Sequence, residues 1–258
     1  MKDELRIPMD PNNPAQFYAC GGLLELFELL GKPVISQFEL DRRRPRSAVF
    51  VISGANRQDL ENLLYQVASA DYEPLTDCPA EESVKPVRAT LAAGTVDLDW
   101  WLDEFHQEPT TLKCWAGQVK SGQLFAELPP LIRATVEPSE LFFSAQASKK
   151  KFGIDPRSAW NALDFGYSPN EQGQDAATFP AVETFAAFGL QSFRPFPTRN
   201  RQAEYSLWRQ PLPRLAALQA SLDPWDGADV WTFRFEIAKR GQSYKYFTPA
   251  TLVWKGNP

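Results

Sequence analysis

Asn13-Pro-Ala-Gln-Phe-Tyr-Ala-Cys-Gly-Gly-Leu-Leu-Glu-Leu-Phe-Glu-Leu-Leu-Gly31 is the stretch from which the fold can first be read. Asn13 is a good N-cap, Pro14 suits the first helical position, and Gln16 sits where a capping-box side chain reaches back. Gly31 and Pro33 end the helix. Phe17, Gly21, Leu24 and Glu28 make one stripe and Cys20, Leu23, Phe27 and Leu30 the adjacent one. A helix apolar over that much of its girth is predicted to lie largely buried. Gly21-Gly22 in mid-helix costs about 1 kcal/mol per residue relative to Ala. Either a tight crossing with another helix or the close approach of a ligand or RNA would explain the pair.

Outward from this helix, residues 34–40 and 47–53 read as strands flanking a turn that carries Arg42, Arg43, Arg44 and Arg46. A helix from Asn56 to Ala70 comes next, then the acidic stretch Asp71–Pro86, then strand-like runs at 87–92 and 95–102 joined through Gly94. Helix, hairpin, helix, hairpin is a mixed pattern without the alternating rhythm of a parallel sheet. Downstream the sequence predicts a helix from Ser121 to Ile132, ended or kinked by Pro129-Pro130. Short helices at 156–164 and 179–190 follow, then strands at 190–196 and 203–210, a helix at 213–222 and a hairpin of 230–238 with 243–254. The expected fold class is α+β, of helices and antiparallel hairpins, with ferredoxin-like (RNA-recognition-like) elements as the variant.

With 258 residues and 43% hydrophobic content, the chain can bury a sizeable core. Its net charge is −5, unevenly spread: residues 1–140 hold 13 Lys+Arg against 22 Asp+Glu, and residues 141–258 hold 14 against 10. This gradient divides the chain into an acidic part, 1–140, and a basic part, 141–258, unless one continuous domain spans both. The cysteines, Cys20, Cys78 and Cys114, have no paired spacing, which fits a reducing compartment rather than a disulfide or zinc framework. The first residues lack a secretory pattern and no apolar run is long enough to cross a bilayer, so the expectation is a cytoplasmic chain with no membrane partner.

Enzymatic constellations are sparse. His106 is the sole histidine, which excludes a His-rich metal cluster. Asp97, Asp99, Asp103 and Glu104 would have to serve as a two-metal carboxylate site, but they sit in an acidic neighbourhood with no nearby Lys or Arg to organise phosphate. Neither a P-loop, a dinucleotide fingerprint nor a Gly-x-Ser-x-Gly elbow occurs. The sequence therefore predicts no catalytic residues, no metal ligands and no cofactor.

The positive signals are cationic. Lys149, Lys150, Lys151 and Arg157 surround Phe152-Gly153 and a single acid, Asp155, an arrangement that suits phosphate contact as well as it suits a solvated loop. The arginines at 42–46 would project from a hairpin tip, toward a nucleic-acid backbone or an acidic neighbour. Arg194, Arg199, Arg201 and Arg209 interleave with Phe193, Phe196, Tyr205 and Trp208, a mixture suited to single strands, although strand alternation would bury about half of these aromatics.

The Asn13–Leu26 stretch, together with Lys151-Phe-Gly-Ile-Asp-Pro-Arg-Ser-Ala-Trp-Asn-Ala-Leu-Asp-Phe-Gly-Tyr-Ser-Pro-Asn-Glu171, Phe179–Pro195 and Trp208-Arg-Gln-Pro-Leu-Pro213, resembles a small Cas-eight-type effector subunit of the type I CRISPR subtype called I-U or I-G. The resemblance implies a non-catalytic member of an RNA-guided DNA surveillance complex in antiviral defence. Its partners would be other effector subunits, guide RNA, target DNA and a helicase-nuclease recruited on target binding. The residues expected to meet nucleic acid, on their charge and not on the resemblance, are Lys149, Lys150, Lys151, Arg157, Arg194, Arg199, Arg201 and the arginines at 42–46. A metal-dependent nuclease of the same defence locus and an unrelated cytoplasmic interaction protein are the alternatives.

Overall fold

In the computed structural model the described residues are 3–40, 47–103, 108–115, 118–133, 136–148, 150–158, 176–195, 201–240 and 244–255. The chain begins with a strand that the sequence reading passes over, β1 (Glu4–Met9), which buries Leu5, Ile7 and Met9 on one face. α1 (Pro14–Leu29) follows, capped as expected: the Asn13 side-chain oxygen accepts from the N–H groups of Ala15 and Gln16. Gln16 departs from the capping box. Its Oε1 accepts from the Asp10 N–H at 2.7 Å, one turn further upstream than the cap.

β2 (Ile35–Leu40) and β3 (Ala48–Ser53) form the anticipated antiparallel pair, and β1 joins β3 on its other side. β1 and β2 thus run parallel with β3 between them, a split β-α-β arrangement. α2 (Arg57–Ser69) starts from a complete capping box between Asn56 and Asp59. Through these five elements the order is ferredoxin-like. β4 (Asp71–Pro74) then departs: it pairs with β5 (Val87–Leu91), which turns back on β6 (Gly94–Leu98), in a separate three-stranded sheet. The fourth place in the first sheet is taken, beyond β2, by β10 (Leu212–Pro213).

α3 (Ser121–Glu127) stops where the paired prolines impose a 3₁₀ turn, Pro129–Leu131. β7 (Gln146–Ser148) pairs with β8 (Ala176–Thr178). α4 (Pro180–Ser192) is longer than predicted: residues 190–192 close its last turn, and the Phe193 N–H donates to the Gly189 carbonyl, where a strand was expected. β9 (Gln202–Trp208), α5 (Arg214–Leu222), β11 (Val230–Arg240), β12 (Tyr244–Phe247) and β13 (Thr251–Lys255) complete the chain. β11 is central to the last sheet, with β9 along one side and β12 and β13 along the other. Antiparallel sheets and helices together make an α+β fold.

α1 lies between the first and last sheets, as its all-round apolar surface requires. Phe17 stacks on Tyr205 with ring centroids 4.4 Å apart and approaches Phe38 at 6.2 Å, while Tyr18 meets Phe235 at 6.2 Å. The two sheets are also tied by hydrogen bonds from Trp208 Nε1 to the Ser36 carbonyl, 3.0 Å, and from the Tyr205 hydroxyl to the Pro11 carbonyl, 2.6 Å. The glycine pair is explained by a helix crossing. A Cβ on Gly22 would lie 1.9 Å from the Phe185 carbonyl oxygen, and one on Gly189 would lie 1.9 Å from that of Tyr18, so α1 and α4 touch backbone to backbone. This crossing joins the two sides of residue 140, and buried apolar residues from both sides of that position belong to one cluster. Phe185 and Leu190 lie in that core, whereas Trp160 and Leu163 fall outside the described residues.

Candidate nucleic-acid interface

The segment 150–158 is organised by buried charge. Asp155 has no exposed surface; its Oδ1 accepts from Asn13 Nδ2 at 3.0 Å, so the cap residue of α1 holds this loop as well as its own helix. Arg157 forks onto the same carboxylate, Nη2 to Oδ2 at 2.6 Å and Nε to Oδ1 at 3.0 Å, and its guanidinium lies 3.5 Å above the Phe179 ring. Bidentate pairing and stacking fix that side chain in one orientation. Glu183, in the first turns of α4 and fully buried, accepts from the backbone N–H groups of Phe152, Ile154 and Asp155 at 3.0, 3.4 and 3.2 Å. Burial first, and then the Asp155 charge, push the Glu183 carboxyl up to about 7, against the opposing pull of these N–H groups and Lys151.

The remaining described cations of this cluster face inward or toward acids. Lys151 Nζ donates to the Ser158 carbonyl, and Lys150 Nζ lies 4.0 Å from Glu127 Oε1. Lys149 lies outside the described residues, as do Arg42, Arg43, Arg44, Arg46, Arg199 and the lone His106. What the structure brings together around Asp155 is therefore a lock between α1, α4 and the loop, in which the Arg157 fork is already occupied.

The arginine–aromatic mixture divides. Phe193, Tyr205 and Trp208 are buried, and Phe196 is outside the described residues. Arg194 lies 3.5 Å from Asp99 Oδ1 and donates to the Leu102 carbonyl, and Arg209 lies 3.1 Å from Asp229. Arg194 also corrects the reading of Asp97 and Asp99 as carboxylates remote from cations: Arg88, opposite Asp97 in the β5–β6 register, chelates it at 2.6 and 2.7 Å. These pairings follow from register and helix placement, which residue spacing does not reveal. Among the described residues no three His, Cys, Asp or Glu side chains converge as metal ligands.

Arg201 differs from the other described candidates. It is exposed, and its charge acts on Lys245, one of three cations that sequence reasoning missed: Lys245 faces Lys239 and acts in turn on Lys113. Burial first, then the nearby charges of Arg201 and Lys239, lower the Lys245 ammonium below its ordinary value; burial and Lys245 lower Lys113 in turn. Lys239 and Lys245 are six residues apart in sequence, and only the hairpin register shows that they face each other.

In comparisons with known proteins, no family model, no curated protein and no solved structure matches the chain. Among the described residues no helix is long and apolar enough to cross a membrane.

Proposed function

We propose that the chain is a non-catalytic subunit of a type I CRISPR RNA-guided DNA surveillance complex, acting with other effector subunits on guide RNA or target DNA. The observation that carries this reading is the convergence of the segments that resemble the subtype I-U subunit. Asn13 grips Asp155, the backbone from Phe152 to Asp155 hangs on Glu183, Gly22 seats against Phe185 and Gly189, and Trp208 packs on Phe17 and Phe193 at 6.3 and 6.2 Å. Residues scattered from 13 to 208 thus specify one interlocked unit, which supports a resemblance of fold-determining residues over chance likeness.

A nuclease reading gains nothing comparable, because Asp97 and Asp99 are each engaged by an arginine. An acidic chain in such a complex would turn a local basic surface to nucleic acid and acidic surfaces to basic neighbours. On its own it would bind nucleic acid weakly at physiological salt. The test is affinity purification of the tagged chain from its native cells. Guide RNA bearing repeat sequence, and further effector subunits, are expected to co-elute. Elution of the chain alone and free of RNA overturns the reading.

A further inference from the structure

The core-facing side of the last sheet changes character along β11. Phe235, Ile237 and Phe247 are buried, and Ile237 stands opposite Phe247. The next pair on that face is Lys239 opposite Lys245. Like charges directly opposite each other across antiparallel strands destabilise a sheet. On the other side of β11, Gln202 stands opposite Glu236, which sets Arg201, one residue earlier, alongside Ile237. Arg201 has a φ of 61°, a left-handed conformation that residues other than Gly, Asn and Asp rarely adopt. The 110–115 segment closes over β12: the Lys245 N–H donates to the Cys114 carbonyl at 3.2 Å, and Lys245 Nζ to the Thr110 carbonyl at 3.1 Å. This brings in Lys113, whose ammonium lies 5.4 Å from the Trp115 ring centre.

The surrounding acids do not neutralise this corner. Glu81 acts on Lys113 at a distance, and Glu236 is hydrogen-bonded to Gln202 at 3.1 Å. Among the described residues no carboxylate lies within 4 Å of Arg201, Lys239 or Lys245. A chain of net charge −5 has carboxylates in excess, yet here it faces one lysine with another, half-buries two and holds an arginine in a left-handed turn.

We propose that the corner formed by Lys113, Arg201, Lys239 and Lys245 binds the phosphodiester backbone of a nucleic-acid strand. Three of the four cations are lysines, compact point charges that meet phosphate oxygens without needing a planar fork, and a group of cations without carboxylate partners complements the repeating charge of a phosphodiester backbone. The proposal rests on the reading of the chain as a nucleic-acid-handling subunit and names the surface that does the handling.

The test uses the purified full chain and labelled single-stranded RNA and DNA at low ionic strength, where attraction by exposed charge is least screened. The wild-type chain is expected to bind, with affinity falling as salt rises. The K239E/K245E variant, which keeps a like-charge pair in place, is expected to bind at least tenfold more weakly, with the salt slope reduced by roughly 0.7 for each phosphate no longer neutralised. K239E alone is expected to bind more weakly and to melt at a higher temperature, because Glu then faces Lys245. A merely structural role would not move the two readouts in opposite directions. Tighter binding of RNA assigns the corner to guide, and of DNA to target.

Equal binding by wild type and K239E/K245E, or no binding of either strand by wild type, overturns the proposal. So does a K239E/K245E chain that keeps its strand affinity but loses an acidic protein partner. Because guide RNA and subunits are scored separately by co-purification, the corner can fail while the reading of the complex stands, and the reverse.

Discussion

Around Asp155 the described charges meet a counter-charge or a backbone partner: Asp155 holds Arg157 and Asn13, Lys151 reaches the Ser158 carbonyl, and Glu183 gathers three N–H groups. At the other end of the scale, the β11–β12 hairpin sets Lys239 against Lys245 with Arg201 close by; Lys245 Nζ reaches the Thr110 carbonyl, but no carboxylate is in reach of the three cations among the described residues. Both places are rich in charge, and both could be taken for binding sites on composition. Charge that is satisfied inside the fold supports the fold. Charge that strains it needs something outside the fold to account for it.

Substitutions can break or sharpen this contrast. The largest effect is expected from Asp155→Ala, which strips Arg157 of its counter-ion and Asn13 of its acceptor. Removing one partner from a buried, hydrogen-bonded pair costs about 3 to 5 kcal/mol. Urea unfolding should show that loss, and a loss below about 1 kcal/mol would mean the loop is not the lock described. Next is the pH dependence carried by Glu183, whose carboxyl is raised from 4.5 to about 7 in the folded state. The folded chain then holds a proton that the unfolded chain releases near 4.5. Stability should therefore fall as pH rises from about 4.5 to about 7 and change no further through this group above that, by about 3 kcal/mol at most. Unfolding free energies measured across pH 5 to 8 should show that slope in the wild type and lack it in Glu183→Gln.

The smallest change belongs to the strained corner and has the opposite sign. Arg201→Asn keeps a residue that tolerates the left-handed conformation and is expected to hold the unfolding free energy or raise it by about a few tenths of a kcal/mol, read by urea unfolding. Clear destabilisation would show that Arg201 is packed for structure.

Legibility in the sequence follows the range of the interaction. α1 and α2 announce their ends through Asn13, Pro14, Gly31, Asn56 and Asp59, because capping acts within one turn. The hairpin register of β2 with β3 and of β5 with β6 is equally local. β1 hides because its outward residues, Glu4 and Arg6, and Pro8 give the stretch a polar look, although Leu5, Ile7 and Met9 alternate. The end of α4 reads as a strand because Leu190 to Phe193 is too short for periodicity to separate the two. The site is less legible still. Asp155 finds Asn13 across 142 positions, and Glu183 finds Phe152 across 31. Lys113 reaches Lys245 only because the 110–115 segment folds over β12. Composition finds the cations, and tertiary structure sorts the neutralised from the exposed.

The mutual seating of Gly22 and Gly189 also governs when the molecule can form. The helix that fills the centre of the fold leaves the ribosome before its backbone partner, which lies 167 positions later. At about 5–20 residues per second, an apolar α1 waits on the order of ten seconds or longer for α4. Contacts of such long sequence separation are slow to close, and exposed apolar surface in the interval invites aggregation. Assembly of this core is thus a race between chain completion and misassociation, in which a chaperone or an early partner that shelters α1 would raise the yield of native chain.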